Sequence, residues 1–238
     1  MPFQKASDAA PATGRLIVGV WGEPKTGKTQ FALTFPPPIY FFNLDWGLEH
    51  HLSRIGDQEV YIANYINPHP LMTETDAEVL LHQFEMDYAA ALAQGKGTIA
   101  IDTGTALWNL ASKVFLDDIR KKRKTGEVYP FDYGNANTYF QNLINQVKQK
   151  TSMNLVLVQR AREKYNSSGQ GTGVMEQQGN GATPYLTQVQ LKLYMTPEKE
   201  HRGLIEKCWQ TSLVEGTDLS NPTYDTLSTI IKTMTGAA

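Results

Sequence analysis

The sequence predicts an α/β domain: a mostly parallel central sheet flanked by helices, with an antiparallel β-hairpin toward the carboxyl terminus. Three observations lead there. Apolar, strand-like runs alternate along the chain with segments of helical period. The first run, Leu16-Ile17-Val18-Gly19-Val20-Trp21, leads into a glycine-bearing loop and then into Gln30-Phe31-Ala32-Leu33. Several later runs stop at a polar residue, as strands of an open parallel sheet do beside a ligand crevice.

The elements follow in order. Pro36-Pro37-Pro38 stops the helix after the first loop. Ile39-Tyr40-Phe41-Phe42-Asn43-Leu44 is a buried-strand run ending at Asp45. Ala77, Leu80, Leu81, Phe84, Tyr88, Ala91 and Leu92 recur at helical spacing, closed by Gln94-Gly95. Thr98-Ile99-Ala100-Ile101 is a short strand ending at Asp102. Helices are expected over about 106–120 and 136–150, with a basic loop between them. Asn154-Leu155-Val156-Leu157-Val158 is a strand ending at Gln159, and 166–183, rich in Gly, Ser, Gln and Asn, is expected to be a mobile loop. Val189–Met195 alternates with period 2, and 203–210 is its antiparallel partner across Pro197-Glu198-Lys199-Glu200. Residues 224–234 close the chain as a helix. With no internal repeat or linker, the organisation expected is a flexible tail over 1–14 and one domain over 15–238.

The chain has 238 residues, 41% of them hydrophobic and 19% charged, enough apolar material for one core. No apolar run approaches the ~20 residues of a membrane span, so no membrane partner is expected. The single Cys208 excludes an internal disulfide and fits a reducing cytoplasm. A net charge of −2 gives no global pull toward nucleic acid, so any such binding must come from local basic clusters.

The strongest motif is Gly22-Glu23-Pro24-Lys25-Thr26-Gly27-Lys28-Thr29, a complete G-x-x-x-x-G-K-[ST] loop between strand and helix. Backbone N–H groups of such a loop converge on phosphate oxygens at a helix N-terminus. Lys28 then reaches the β- and γ-phosphates and the Thr29 hydroxyl ligates Mg²⁺. These eight residues with Gln30 are the expected binding site for a nucleoside triphosphate.

Asp102, closing an apolar strand, suits Mg²⁺ held directly or through water, or the N-cap of the following helix. Thr103 follows it, so no adjacent glutamate positions an attacking water. Asp45 is the first candidate for that base and Glu49 the second; the alternatives are a turn cap and a solvated charge. His50-His51 lacks partners at metal-ligand spacing. Gln159 is either a sensor of the γ-phosphate or a strand-end amide on loop backbone. Arg160, Arg162 and Lys164 either serve a neighbouring subunit's nucleotide or are simply solvated. Arg120-Lys121-Lys122-Arg123-Lys124, followed by Tyr129, Phe131 and Tyr133, has the charge and stacking surface of a single-stranded nucleic-acid path. A charged helix end or a phosphate-clamping lid fits the same residues.

In this order the motifs resemble the RecA-like ATPase core, and more narrowly the phage-encoded, core-only ATPases of single-strand annealing and recombination. The resemblance runs from about Leu16 to the carboxyl end, on GEPKTGKT, FFNLDWGLE, TIAIDTGTALW, FDYGNANTYFQNLINQV, LVLVQRAREKY and the Gly-rich stretch before the hairpin. It implies a RecA-like P-loop NTPase with ATP and Mg²⁺ as cofactors. Lys28 and Thr29 would sit on the phosphates, Asp45 would activate water, Asp102 would hold the metal, and Gln159 would couple nucleotide state to a DNA-binding loop at 166–183. Relatives usually carry glutamate where Asp45 stands, so hydrolysis is expected to be slow. The expectation is an ATPase that binds single-stranded DNA through Arg120–Lys124, Arg162 and Lys164, forms homo-oligomers and meets a single-stranded-DNA-binding protein. Its expected place is the cytoplasm, the host's if phage-encoded. The alternatives are a nucleotide-gated, non-catalytic assembly protein and a small-molecule or nucleotide kinase.

Overall fold

The computed structural model describes residues 14–66, 73–123, 126–149 and 152–236. Strand β1 (Ile17–Gly22) feeds the phosphate loop and helix α1 (Lys28–Ala32). β2 (Ile39–Asn43), β3 (Val60–Asn64) and α2 (Glu74–Ala93) follow, then β4 (Thr98–Asp102), α3 (Gly104–Lys122) and α4 (Gly134–Gln149). The chain continues through β5 (Asn154–Tyr165), β6 (Gly171–Gln177), α5 (Thr183–Leu186), β7 (Val189–Met195), β8 (His201–Cys208), β9 (Asp218–Ser220) and α6 (Tyr224–Thr235).

The strands lie in the order β3-β2-β4-β5-β1-β7-β8-β9, with β6 paired to the outer half of β5. From β3 to β7 every pairing is parallel, and β8 and β9 add an antiparallel margin. Helices cover both faces, as the alternation of the segments predicts. On one face Val18, Val20, Ala100, Val156, Val158 and Leu191 pack against Phe31 of α1 and Leu227 and Ile231 of α6. On the other, Ile17, Ile99, Ile101, Leu155 and Leu157 meet α2, α3 and α4. The two sets alternate residue by residue, which is the pleat of a strand buried on both sides.

The structure departs from the sequence-based expectations in four places. β5 does not stop at Gln159 but runs twelve residues to Tyr165. Its outer half forms an antiparallel hairpin with β6, Arg162 standing opposite Glu176, so 166–183 is not one long loop. Outside the sheet core neither strand needs apolar residues, and the alternation that reveals buried strands is missing. α3 continues to Lys122, so the basic residues Arg120, Lys121 and Lys122 form its last turn rather than a loop. There they face the negative end of the helix dipole. β3 and β9 were unanticipated; both are short, lie at sheet edges and bury few of their side chains.

Under α2 lies an aromatic cluster: Phe84 is fully buried, with ring centroids 5.1 Å from Phe42, 5.5 Å from Tyr65 and 5.6 Å from Tyr88. Phe84→Ala is therefore expected to destabilise the domain by about 3–5 kcal/mol in chemical denaturation. A loss below ~1 kcal/mol would show that α2 does not share the core.

Candidate nucleotide site

Parallel register brings the strand ends together. Gly22 pairs with Arg160 across β1 and β5, and Asp102 pairs with Val158 across β4 and β5. β5 thus separates the phosphate-loop strand from the Asp102 strand, yet all three open onto one crevice. The loop needs its glycines for shape. A Cβ on Gly22 would stand 2.2 Å from the Leu193 carbonyl oxygen, and Gly27 has φ of 90°, in the left-handed region.

Across this crevice Thr29 Oγ1 donates a hydrogen bond of 2.6 Å to Asp102 Oδ2. Lys28 Nζ folds back 2.6 Å onto the Glu23 carbonyl oxygen, and the Thr26 hydroxyl donates to the same oxygen at 2.9 Å. Asp45 caps the 3₁₀ segment Trp46–Arg54, accepting from Trp46 N at 2.8 Å, and its other oxygen pairs with Arg160 at 2.7 Å. Glu49 is exposed in that segment. Gly47, two residues after Asp45, is close enough to Thr29 that a Cβ there would lie 3.2 Å from the hydroxyl.

Charge density in the crevice is high. Burial pushes the Asp102 carboxyl up to about 6, and the Asp45 carboxylate pushes the same way, against the Thr29 hydrogen bond, Lys28 and Arg160. Burial lowers the Lys28 ammonium from the usual lysine range, and Arg160 adds to this, while Asp102, Asp45 and Glu23 pull it back. Two oxygen donors, Thr29 and Asp102, meeting beside a lysine at the start of α1 suit a hard divalent cation such as Mg²⁺.

Gln159 is not part of this crevice. Alternation along β5 puts Arg160 on the face of Val156 and Val158, toward α1, and Gln159 on the face of Leu157. Gln159 is fully buried there, its Nε2 3.4 Å from Thr183 Oγ1 and its Oε1 unpartnered. Arg160 is the polar residue that reaches the site, and counting the pleat one residue past Gln159 would have found it.

On the flank of the loop away from Asp102 and Arg160 is a cavity of about 610 Å³, bordered by Gly27, Gln30, Thr34, His51, His201 and Asn221. His51 Nδ1 lies 3.1 Å from Gln30 Oε1, and burial lowers this imidazole, with Arg54 and His50 adding to the effect. His201 Nδ1 is buried without a partner, and a Cβ on Gly27 would stand 3.3 Å from it. No local motif marks His201; only the antiparallel return of β8 brings it here.

The basic end of α3 is distant from all this. Nineteen residues of helix separate it from Asp102 by about 28 Å. Arg120 pairs with Asp117 at 2.8 Å, and Arg123 forks onto Asp132, 2.8 Å from Oδ1. The Arg123 guanidinium also lies 5.1 Å from the ring centroid of Tyr129 and 5.5 Å from that of Phe131. Those two rings stack at 5.6 Å, and they are 44% and 73% exposed. Lys122 is exposed, and Lys124 lies outside the described residues. On the hairpin, Arg162 pairs with Glu176 at 2.8 Å, and Lys164 and Tyr165 are exposed. Among the described residues no helix is long and apolar enough to cross a membrane.

The family model described as an AAA domain matches residues 15–214. A KaiC-like protein from the hyperthermophilic archaeon Pyrococcus horikoshii is similar in structure at a TM-score of 0.47 and 12% identity, over 86% of this chain and 84% of that one. No curated protein matches the sequence.

The raised Asp102 carboxyl has a consequence for stability. At pH 4 it is largely neutral in the folded protein; as pH rises toward about 6 a buried group must ionise, and the stabilisation from the neutral form is lost and stays lost above. Without metal or nucleotide, Asp102→Asn should therefore match the parent near pH 4 and exceed it at pH 7.5 by about 2–3 kcal/mol in denaturant melts. An advantage that does not grow with pH contradicts the buried-carboxylate account.

Proposed function

We propose that this chain, which belongs to the AAA domain family, is a slow, Mg²⁺-dependent ATPase that binds single-stranded DNA in strand annealing or recombination. The observation that carries the nucleotide part is the Thr29–Asp102 contact beside Lys28, at the mouth of a complete phosphate loop. Lys28 exchanges the Glu23 carbonyl for phosphate oxygens, a charge-assisted bond in a partly desolvated setting. Thr29 and Asp102 would hold the metal, which when bound neutralises charge on the phosphate oxygens. With the γ end toward Asp102, Asp45 and Arg160, ribose and base would fall to the cavity bordered by Gln30, His51 and His201.

In this reading Asp45 orients the attacking water. Its engagement with both Trp46 N and Arg160 supports slow turnover and is the observation that favours the second reading, a nucleotide-gated assembly protein. The lid of a small-molecule kinase has less support, since α3 carries the basic cluster about 28 Å from the Asp102 end.

For single-stranded DNA the support is the exposed Tyr129–Phe131 stack beside the basic turn of α3, together with Lys164 and Tyr165 on the hairpin. Ring faces take bases and cations take the backbone, without regard to sequence. Arg120 and Arg123, held by Asp117 and Asp132, contribute less as free phosphate ligands than as supports for this platform. A homo-oligomer and a single-stranded-DNA-binding partner belong to the same proposal, through the resemblance to phage ATPases.

Lys28→Ala is expected to lower ATP turnover at least 100-fold. Phe131→Ala should leave turnover without DNA unchanged and weaken oligonucleotide binding about 5- to 150-fold, the range for losing a stacked base. ATP turnover and oligonucleotide anisotropy at low salt check both. Lys28-independent turnover removes the ATPase reading, and failure to bind DNA removes the recombination reading.

A further inference from the structure

Arg160 occupies a position that neither the phosphate-loop motif nor the strand-end carboxylates account for. In the β1–β5 register it stands opposite Gly22, the first glycine of the loop. Its guanidinium lies 2.7 Å from Asp45 Oδ2, and its charge is felt by both Lys28 and Asp102. Both members of the Arg160–Asp45 pair are partly exposed, 48% and 33% at the side chain. Such a pair is weak and easily exchanged.

The backbone of the same residue is the root of the β5–β6 hairpin. Arg160 N donates to Thr105 Oγ1 at 3.0 Å, Thr105 Oγ1 donates to the Gln178 carbonyl at 2.7 Å, and Gln178 N donates back to the Arg160 carbonyl at 2.8 Å. Thr105 lies in the first turn of α3, three residues after Asp102. One residue thus sends its side chain to Asp45 at the crevice while its main chain joins the helix that follows Asp102 to the hairpin.

We infer that Arg160 is a γ-phosphate sensor acting within its own subunit: on ATP binding its guanidinium leaves Asp45 for the γ-phosphate, freeing the carboxylate and shifting the hairpin. The inference rests on the nucleotide reading above and deepens it. A terminal phosphate carries more charge than a carboxylate and offers a guanidinium the same forked geometry. ADP has no oxygen at that position, so with ADP the Asp45 pair persists. The sensing role that strand order suggests for Gln159 passes to its neighbour because the pleat turns Gln159 to the opposite face of the sheet.

The test is titration of the parent, Arg160→Ala and Arg160→Lys with a fluorescent ADP and with ATPγS, in Mg²⁺, with hydrogen exchange of residues 160–178 in each nucleotide. In Arg160→Ala, ATPγS is expected to bind at least tenfold more weakly while ADP changes less than twofold. The hairpin's exchange should then no longer distinguish the two nucleotides, and Arg160→Lys should recover part of the discrimination. An unchanged ATPγS-to-ADP ratio, or an equal loss for both nucleotides, overturns the sensor. Absence of ADP binding in the parent overturns the nucleotide reading as well, and ADP binding that depends on Lys28 separates the two failures.

Discussion

The hydrogen bond from Thr29 to Asp102 is the contact on which the rest of the site depends. Its partners are 73 residues apart and lie on segments separated in the sheet by the whole of β5. It forms only if three parallel strands hold their register, and buried apolar residues on both faces enforce that register, since a slip of one residue would turn every side chain to the wrong layer. The same register places Gly22 beside Arg160 and limits the loop to a glycine where it passes the Leu193 carbonyl.

Four ionisable groups, Lys28, Asp45, Asp102 and Arg160, act on one another across this crevice. Each has a protein partner: Lys28 a carbonyl, Asp102 a hydroxyl, Asp45 and Arg160 one another. A polyanion with its metal would re-pair all four at once. The site is internally compensated in charge, and under the inference drawn for Arg160 this compensation is what nucleotide binding exchanges.

Much of this was legible in the sequence, and the illegible remainder has physical causes. The phosphate loop, the strand leading to Asp45 and the strand ending at Asp102 announce themselves because their signals are local: fixed glycine spacing, or a buried apolar run and its polar stop. The hairpin built on Arg162 and Glu176 was hidden because strands outside a core carry no apolar alternation. Gln159 and Arg160 face opposite sides of the sheet, and an apolar run with a polar stop does not say which of two neighbours looks into the crevice. The pairing of Arg120 with Asp117 and of Arg123 with Asp132 tempers a basic run that in sequence looks free. His201 reaches the phosphate loop through the β7–β8 return, which no window of sequence around residue 201 contains.

A crystal structure of the full chain with Mg²⁺ and ATPγS tests the central claim most directly. The metal should be found touching Thr29 and Asp102, directly or through water, with the terminal phosphate directed toward Asp45 and Arg160. A triphosphate bound anywhere else, or a metal that avoids Asp102, would contradict the account.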